Sequence, residues 1–376
     1  MKDGAQAVYT NPTIDKEEGG MRMQGERGIR RAGRTSQILT LVFGGWMTAG
    51  LFLREAALDR LPAANDHMLT PWNGVWYSGY AVSVLWLAWL AVSGRLLTGY
   101  WRSGVPEGYG SGMAGAVLGG IGMLGGVLWR AILGEPAGAE AIYSPSGLLQ
   151  LVGAALMVSS PLRAVWRTAG RIPARGVLWP GLLSMALASS VAAYLARGYW
   201  MYNNDAPSAG AVERLEAGIA PLAAGLRTEL LGTAYEHAMA GILLTVAILI
   251  LPLIWTVNRW KLPFGSFLLL AGVPVLFMSL LQKSLYAGSA GILTGVAADL
   301  LYGFLGASHR NNWKKHVLFT AVPLCFTGFY FLLLHLRGGL GWSPSGWGGA
   351  MLLSALTGLV LSHLVAMNKE EAAEPR

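Results

Sequence analysis

The chain has 376 residues, 53% of them hydrophobic and only 13% charged, with a formal net charge of +8 and a mean hydropathy of +0.45. A soluble globular domain carries roughly 25% charged residues, so the composition excludes an ordinary water-soluble fold and points to a polytopic membrane protein. The positive charge gathers in one set of loops, the pattern of membrane topology rather than of nucleic-acid binding.

Residues 1–35 hold seven Lys/Arg and five Asp/Glu and close on the basic cluster Arg27, Arg30, Arg31 and Arg34. They lack the short charged start, apolar core and cleavage site of a signal peptide, and they read as a disordered cytoplasmic tail. Ten apolar segments follow, at about 37–53, 74–93, 111–129, 146–162, 176–196, 237–257, 264–282, 286–306, 316–336 and 346–367. Each is near the ~20 residues that a helix needs to cross ~30 Å of hydrocarbon. The fold expected is therefore all-α: a transmembrane bundle over 36–367, with a short cytoplasmic tail at 368–376. With the amino-terminal tail inside, the inner segments hold 20 Lys/Arg and the outer ones 8. That asymmetry predicts ten spans in a bacterial plasma membrane, both termini cytoplasmic.

Three related motifs begin outside-to-inside spans: "LTPWNG" at 69–74, "YSPSG" at 143–147 and "WSPSG" at 342–346. Thr70, Ser144 and Ser343 suit N-caps, whose hydroxyls accept an orphan backbone N–H. Pro71, Pro145 and Pro344 then fall at the first helical position, where a missing N–H costs nothing. Arg54 precedes Pro71 by 17 residues and Arg130 precedes Pro145 by 15, so the first two helix pairs read as copies of one hairpin. In the third segment Gly115, Gly119, Gly122 and Gly126 share one helix face, which predicts close packing and a central position. The loop at 197–236 carries apolar residues at helical spacing with charges of both signs between them, the pattern of a short amphipathic surface helix or of a solvated helical turn.

The stretches "GLFLREAALDRLP", "LTPWNGVWYSGYAV", "GGVLWRAILGEP", "YSPSGLLQLVGAALMVSSPLRAVWR", "WKLPFGSFLLL", "GVAADLLYGF" and "GGLGWSPSGWGG" resemble an uncharacterised family of multi-span bacterial integral membrane proteins. In that family the hairpin motifs read TPWH and SPTH, and a further histidine follows the second LW. The resemblance implies a metal or cofactor site that this chain has lost. Its positions here read Asn73, Arg130 and Gly147, with Arg54 and Gly126 where acids would fall.

Asp299, in "TGVAADLLYGF", is the acidic residue set deepest in a span, and such a residue either packs through internal hydrogen bonds or serves a proton or cation path. Glu236, His237 and His335 lie at the outer ends of the sixth and ninth spans and offer a metal or haem ligand set. Arg54, Arg130, Lys283 and Arg337, with Trp76, Tyr77, Tyr80, Trp129 and Tyr286, collect at the outer face, where cations near aromatics suit an anionic or lipidic ligand or snorkel to headgroups. Cys325, the sole cysteine, reads as a packing residue. There is no phosphate-binding loop, HExxH, CxxC or GxSxG, and the sequence specifies no cofactor. The leading expectation is a non-enzymatic protein binding or permeating a small or lipidic ligand in a pocket among spans one to four. Arg54, Asn73, Trp76, Trp129 and Arg130 would supply its polar and aromatic groups, with Asp299 as a buried acid. The alternatives are a subunit of a membrane redox or metal enzyme using Glu236, His237 and His335, and a scaffold subunit docked on a membrane partner.

Overall fold

A computed structural model describes residues 30–58, 70–98, 104–134, 139–170, 173–281, 285–306 and 312–371. Lys283 and the side chain of Tyr286 lie outside the described residues, as do positions 1–29 of the expected tail. Among the described residues the chain is helical, with one isolated antiparallel bridge, Ser208 to Leu340. In chain order the helices are α1 (Arg34–Leu58), α2 (Pro71–Thr98), α3 (Gly110–Leu133), the single turn α4 (Ala139–Tyr143), α5 (Pro145–Val158), α6 (Ser160–Thr168), α7 (Arg175–Leu195), α8 (Ala209–Ile219), α9 (Ala224–Arg259), α10 (Ser266–Leu281), α11 (Leu285–Leu305), α12 (Asn312–Gly338) and α13 (Pro344–Glu371).

Among the described residues nine elements, α5 and α6 counted as one, are long and apolar enough to cross a membrane, and α10 is a shorter apolar helix of 16 residues. At ~1.5 Å per residue α10 reaches only about 24 Å. It packs against α7 and α11, with Phe267, Leu270, Val275 and Met278 fully buried, while Leu276 and Leu280 are exposed. Its first turn is buried in protein, where short or irregular elements are tolerated at membrane depth. The chain is a multi-pass membrane protein. The side bearing Arg34 is called proximal below, and the opposite side distal.

Neighbouring spans pack antiparallel through small residues. A Cβ on Gly50 would lie 2.8 Å from the backbone of Trp76, and one on Gly79 would lie 2.7 Å from that of Met47, so α1 and α2 touch backbone to backbone. Glycines do the same between α3 and α5, α10 and α11, and α12 and α13. In lipid, burying apolar area does not drive helices together, so close van der Waals contact at small residues carries the association.

Gly115 and Gly122 lie against Gly153, Ser146 and Gln150 of α5, and Gly119 lies against the Tyr80 ring. The shared face is real, but the central position is not. Only 22% of the apolar stretch of α3 is buried, against 67% for α7, and Val117, Ile121, Leu124, Leu128 and Ile132 are exposed. A glycine face fits one close partner and leaves the opposite face to lipid, so α3 is peripheral and the serine-rich α7 is central.

The fourth span is broken at Ser159, ahead of Pro161, into α5 and α6. Proline removes one helical donor and displaces a carbonyl, and at this depth each freed group needs a partner. Ser184 of α7 supplies two bonds at once: its hydroxyl accepts Leu162 N–H at 3.0 Å and donates to the Val158 carbonyl at 2.6 Å. Arg163 completes the repair, donating to the Leu156 carbonyl and the Ser159 hydroxyl at 3.1 and 2.8 Å. Ser184→Ala should lower stability by about 2–4 kcal/mol, because a buried donor and a buried acceptor each lose a partner. Detergent unfolding of the purified variant measures this, and a change under ~0.5 kcal/mol would count against the repair.

Two expected boundaries move. Residues 30–35 are not tail: Arg30 donates to the carbonyls of Leu90 and Gly104, both at 2.8 Å, and α1 begins at Arg34. Leu90 lies about two turns inside the end of α2 and Gly104 in the segment after it, so the Arg30 guanidinium ties the chain ahead of α1 to both. The loop at 197–236 contains two 3₁₀ turns and α8, and α9 begins at Ala224 rather than at 237. Its first turns extend a span helix beyond the membrane, because nothing in "AGLRTELLGTAYEH" stops a helix once started.

Ser144 and Ser343 cap as expected, accepting Gly147 N–H at 3.1 Å and Gly346 N–H at 3.3 Å. Thr70 does not: its hydroxyl is buried without a hydrogen-bond partner. The residue three positions on is glycine in the two capped motifs and the fully buried Asn73 in the third. Seating Asn73 inside the bundle governs that helix start.

Candidate ligand recess at the distal face

The buried stripe of α1 runs Met47, Thr48, Leu51, Phe52, Glu55 and Ala56. Helical periodicity thus carries a carboxylate inside, with Glu55 only 7% exposed. An unpaired carboxylate there would be very costly, and the end of α7 supplies two partners. Arg197 Nη2 lies 2.6 Å from Glu55 Oε1, and the Tyr194 hydroxyl donates to Oε2 at 2.8 Å. The Arg197 guanidinium lies over the Tyr194 ring at 5.4 Å, and Phe52 packs between Tyr194 and Phe277.

Beside this triad lie polar atoms that are buried and have no hydrogen-bond partner: Arg54 Nε, Thr70 Oγ1, Trp72 Nε1, Trp76 Nε1 and Arg197 Nη1, with Trp200 Nε1 three residues further along. Gly50 touches Trp76, so one turn on in α1 Arg54 meets the start of α2, where Thr70, Trp72 and Asn73 stand. Arg54 is also near enough for its charge to act on the Tyr194 hydroxyl. Native interiors leave few polar atoms unsatisfied, so a local group of them marks a place where a partner is missing. Most are N–H groups, which donate and never accept, and the Asn73 amide oxygen, an acceptor, is buried among them. Both Glu55 oxygens are engaged, leaving one cationic charge of Arg54 and Arg197 unbalanced among the described residues. Nearby, Tyr202 is wholly buried and desolvation pushes its phenol far above the usual range, so it stays protonated.

Arg54, Asn73 and Trp76 come together as part of this group. Trp129 and Arg130 sit in the last turns of α3, which packs mainly on α5, and Trp129 is 37% exposed. These polar groups thus lie among α1, α2 and the end of α7, the fifth span. Glu236, His237 and His335 are all exposed, and the His237 ring stacks on Tyr199 at 4.5 Å. Among the described residues no three His, Cys, Asp or Glu converge, so these residues do not form a metal site. They project from two separate helix ends, and proximity along the membrane normal did not make them neighbours.

Asp299 is buried on α11, where its two oxygens accept the N–H groups of Phe267 (3.2 Å) and Leu268 (2.9 Å) in the first turn of α10. The carboxylate is a cap supplied by a neighbouring helix, placed at the positive end of the α10 dipole. Gly265, with φ +91°, lets the chain turn into that buried start. At the same end of the bundle Lys315 is buried and donates to Asn258 at 2.9 Å, and His316 pairs with Ser362 at 3.0 Å, while His309 lies outside the described residues.

The sequence reading missed Glu55, Tyr194 and Arg197. The signal for Glu55 was present, because continuing the Met47–Leu51 spacing by one more turn from Leu51 reaches it. Nothing local announced Arg197, which sits in a loop by composition. No protein-family model matches the chain, and no curated protein or solved structure is significantly similar to it.

Proposed function

We propose that this chain is a non-enzymatic protein of a bacterial plasma membrane, both termini cytoplasmic, that binds or passes a small or lipidic ligand through the distal recess. The 20-to-8 division of Lys and Arg supports the orientation. The observation that carries the ligand reading is the gathering of Arg54, Trp72, Trp76 and Arg197 N–H groups, buried and lacking acceptors, around the Glu55 triad. The resemblance to the uncharacterised bacterial family fits a site that changed its chemistry. Asn73 is fully buried, while a Cβ at Gly147 would run into the Ala141 carbonyl, so a histidine there requires a different turn.

Native mass spectrometry of the full chain extracted in mild detergent tests the reading. A bound species of non-protein mass is expected on the wild type. It should be lost from Arg54→Gln/Trp76→Phe, which removes the Arg54 charge and the Trp76 N–H while keeping an uncharged polar side chain and an aromatic ring in place. Equal retention in both, or none in either, would remove the support. A second reading, a scaffold subunit, is favoured by one observation: the first turns of α9 are exposed on every side, with Leu226 44% and Tyr235 37% accessible. Co-purification of a stoichiometric membrane partner, lost on deleting 224–230, would support it.

A further inference from the structure

A cavity of about 510 Å³ lies on the distal side, where α8, the first turns of α9 and the start of α13 meet. Its volume falls in the ~300–1,000 Å³ range of small-molecule sites, and its lining is separate from the Glu55 triad and the buried indoles of α2. Hydrogen bonds fix its walls. Gly341 N–H donates to the Pro207 carbonyl at 2.8 Å and Ala209 N–H to the Gly339 carbonyl at 3.0 Å, which clasps the chain ahead of α8 to the chain ahead of α13. Gly341 suits that approach, because a Cβ there would run into Val212 and the Ser208 carbonyl. The Ser208 hydroxyl caps α8, accepting Ala211 N–H at 3.2 Å, and Ser343 caps α13. The Tyr330 hydroxyl ties in the polar edge, donating to the Asn204 carbonyl at 2.6 Å. Walls held in this way are ordered before a ligand arrives, so binding has little left to order.

We propose that this cavity binds an uncharged sugar ring, free or as the headgroup of a glycolipid. One wall is apolar: Tyr235 and Trp342, ring centroids 4.4 Å apart, with Phe331 6.3 Å behind Trp342 and Val212, Leu215 and Leu231 alongside. The edge is polar: Asp205 and Arg214, paired at 2.9 Å and each more than half exposed. They engage each other through Oδ2 and Nη2, which leaves acceptor and donor capacity side by side. Among the described residues no other charged side chain lines the cavity. An anion is therefore attracted by Arg214 and repelled by Asp205, and a cation the reverse. A zwitterion gains little from an ion pair this exposed. A wholly apolar molecule strips water from the pair and returns no hydrogen bond. Two adjacent hydroxyls fit, one donating to Asp205 and the next accepting from Arg214. The weakly positive C–H face of the same ring suits the negative faces of aromatic side chains.

The full chain, in lipid nanodiscs prepared without glycoside detergent, is probed by ligand-observed NMR. The sugar probes are glucose, galactose, N-acetylglucosamine and maltose, with octyl glucoside below its micellar concentration as the lipid-linked sugar. Indole, L-phenylalanine and glucose 6-phosphate are the controls. Saturable binding of at least one sugar probe, ~10-fold tighter than any control, is expected. Tyr235→Ala and Asp205→Asn, both at exposed positions, should each weaken it ~3–10-fold, as expected for one ring contact or one hydrogen bond. Asp205→Asn leaves Arg214 unopposed and should at the same time tighten glucose 6-phosphate, a gain that mere structural damage would not produce. Free sugars binding as well as octyl glucoside identify the ring itself as the ligand. Octyl glucoside binding alone, with the same sensitivity to both variants, identifies a glycolipid headgroup. Indole or phenylalanine matching the best sugar overturns the sugar assignment. Binding of no sugar probe, or binding indifferent to both variants, overturns the site, and neither result bears on the Arg54 and Trp76 test, which concerns other residues.

Discussion

Asp299→Ala is expected to destabilise the protein by about 3–6 kcal/mol, the largest single effect predicted outside the recess. Two buried backbone donors, Phe267 N–H and Leu268 N–H, lose their acceptor together, at ~1–3 kcal/mol each. The start of α10 also loses an anion at the positive end of its dipole, for up to ~2 kcal/mol. α10 is short and buried, so water cannot take the place of the carboxylate. Asp299→Asn keeps one acceptor and should lie about midway. Reversible unfolding in SDS–detergent mixtures reports the differences. If Asp299→Ala were within 1 kcal/mol (about one ordinary hydrogen bond,) of the wild type, the cap would be incidental. A proton path through Asp299 would instead show as an intact fold with lost activity.

The second large effect belongs to Glu55. Removing one partner of a buried ion pair costs about 3–5 kcal/mol, because the other charge stays behind without compensation. Glu55→Leu should therefore unfold the distal end of the α1–α7 contact, and Glu55→Gln should cost less, since its amide oxygen still accepts from Tyr194 or Arg197. The decisive measurement is the double variant. Glu55→Leu/Arg197→Met replaces the pair with apolar groups of similar size and should recover ~2–3 kcal/mol of what Glu55→Leu loses. Additive losses would mean that the 2.6 Å pair contributes nothing beyond its separate side chains. Ligand binding separates stability from function here: the double variant should fold yet lose Arg197 from the recess and bind weakly.

Much of the architecture was legible because hydropathy is local. Each span announces itself in about twenty consecutive residues, and the helix starts at Ser144 and Ser343 announce themselves in four. What failed to read depended on where a helix was taken to end or what lay across from it. The apolar run of span one stops at residue 53, just short of Glu55, where Arg54 interrupts it. In fact α1 continues to Leu58, with Arg54 at the edge of its buried face and Glu55 within it. The fourth span read as continuous, although Pro161 was in plain view, because the serine that makes a break tolerable sits on α7. Asp299 stood out as an acid within a span, but the donors it accepts from lie more than thirty positions earlier.

Composition, apolar segment length and the placement of Lys and Arg determined by themselves that this chain is a helical bundle threaded repeatedly through lipid, since the cost of exposing backbone or charge to hydrocarbon is paid residue by residue. The tertiary structure alone decided which polar groups meet. It placed α3 at the edge and α7 at the centre, joined Glu55 to Arg197 and Tyr194, and left Arg54 Nε, Trp72 Nε1, Trp76 Nε1 and Arg197 Nη1 buried without a hydrogen-bond partner. The reason is physical: in a membrane all the spans are apolar alike, so hydropathy cannot rank one neighbour above another. Pairing is set by the fit of small residues and by the few polar atoms that must find partners across helices.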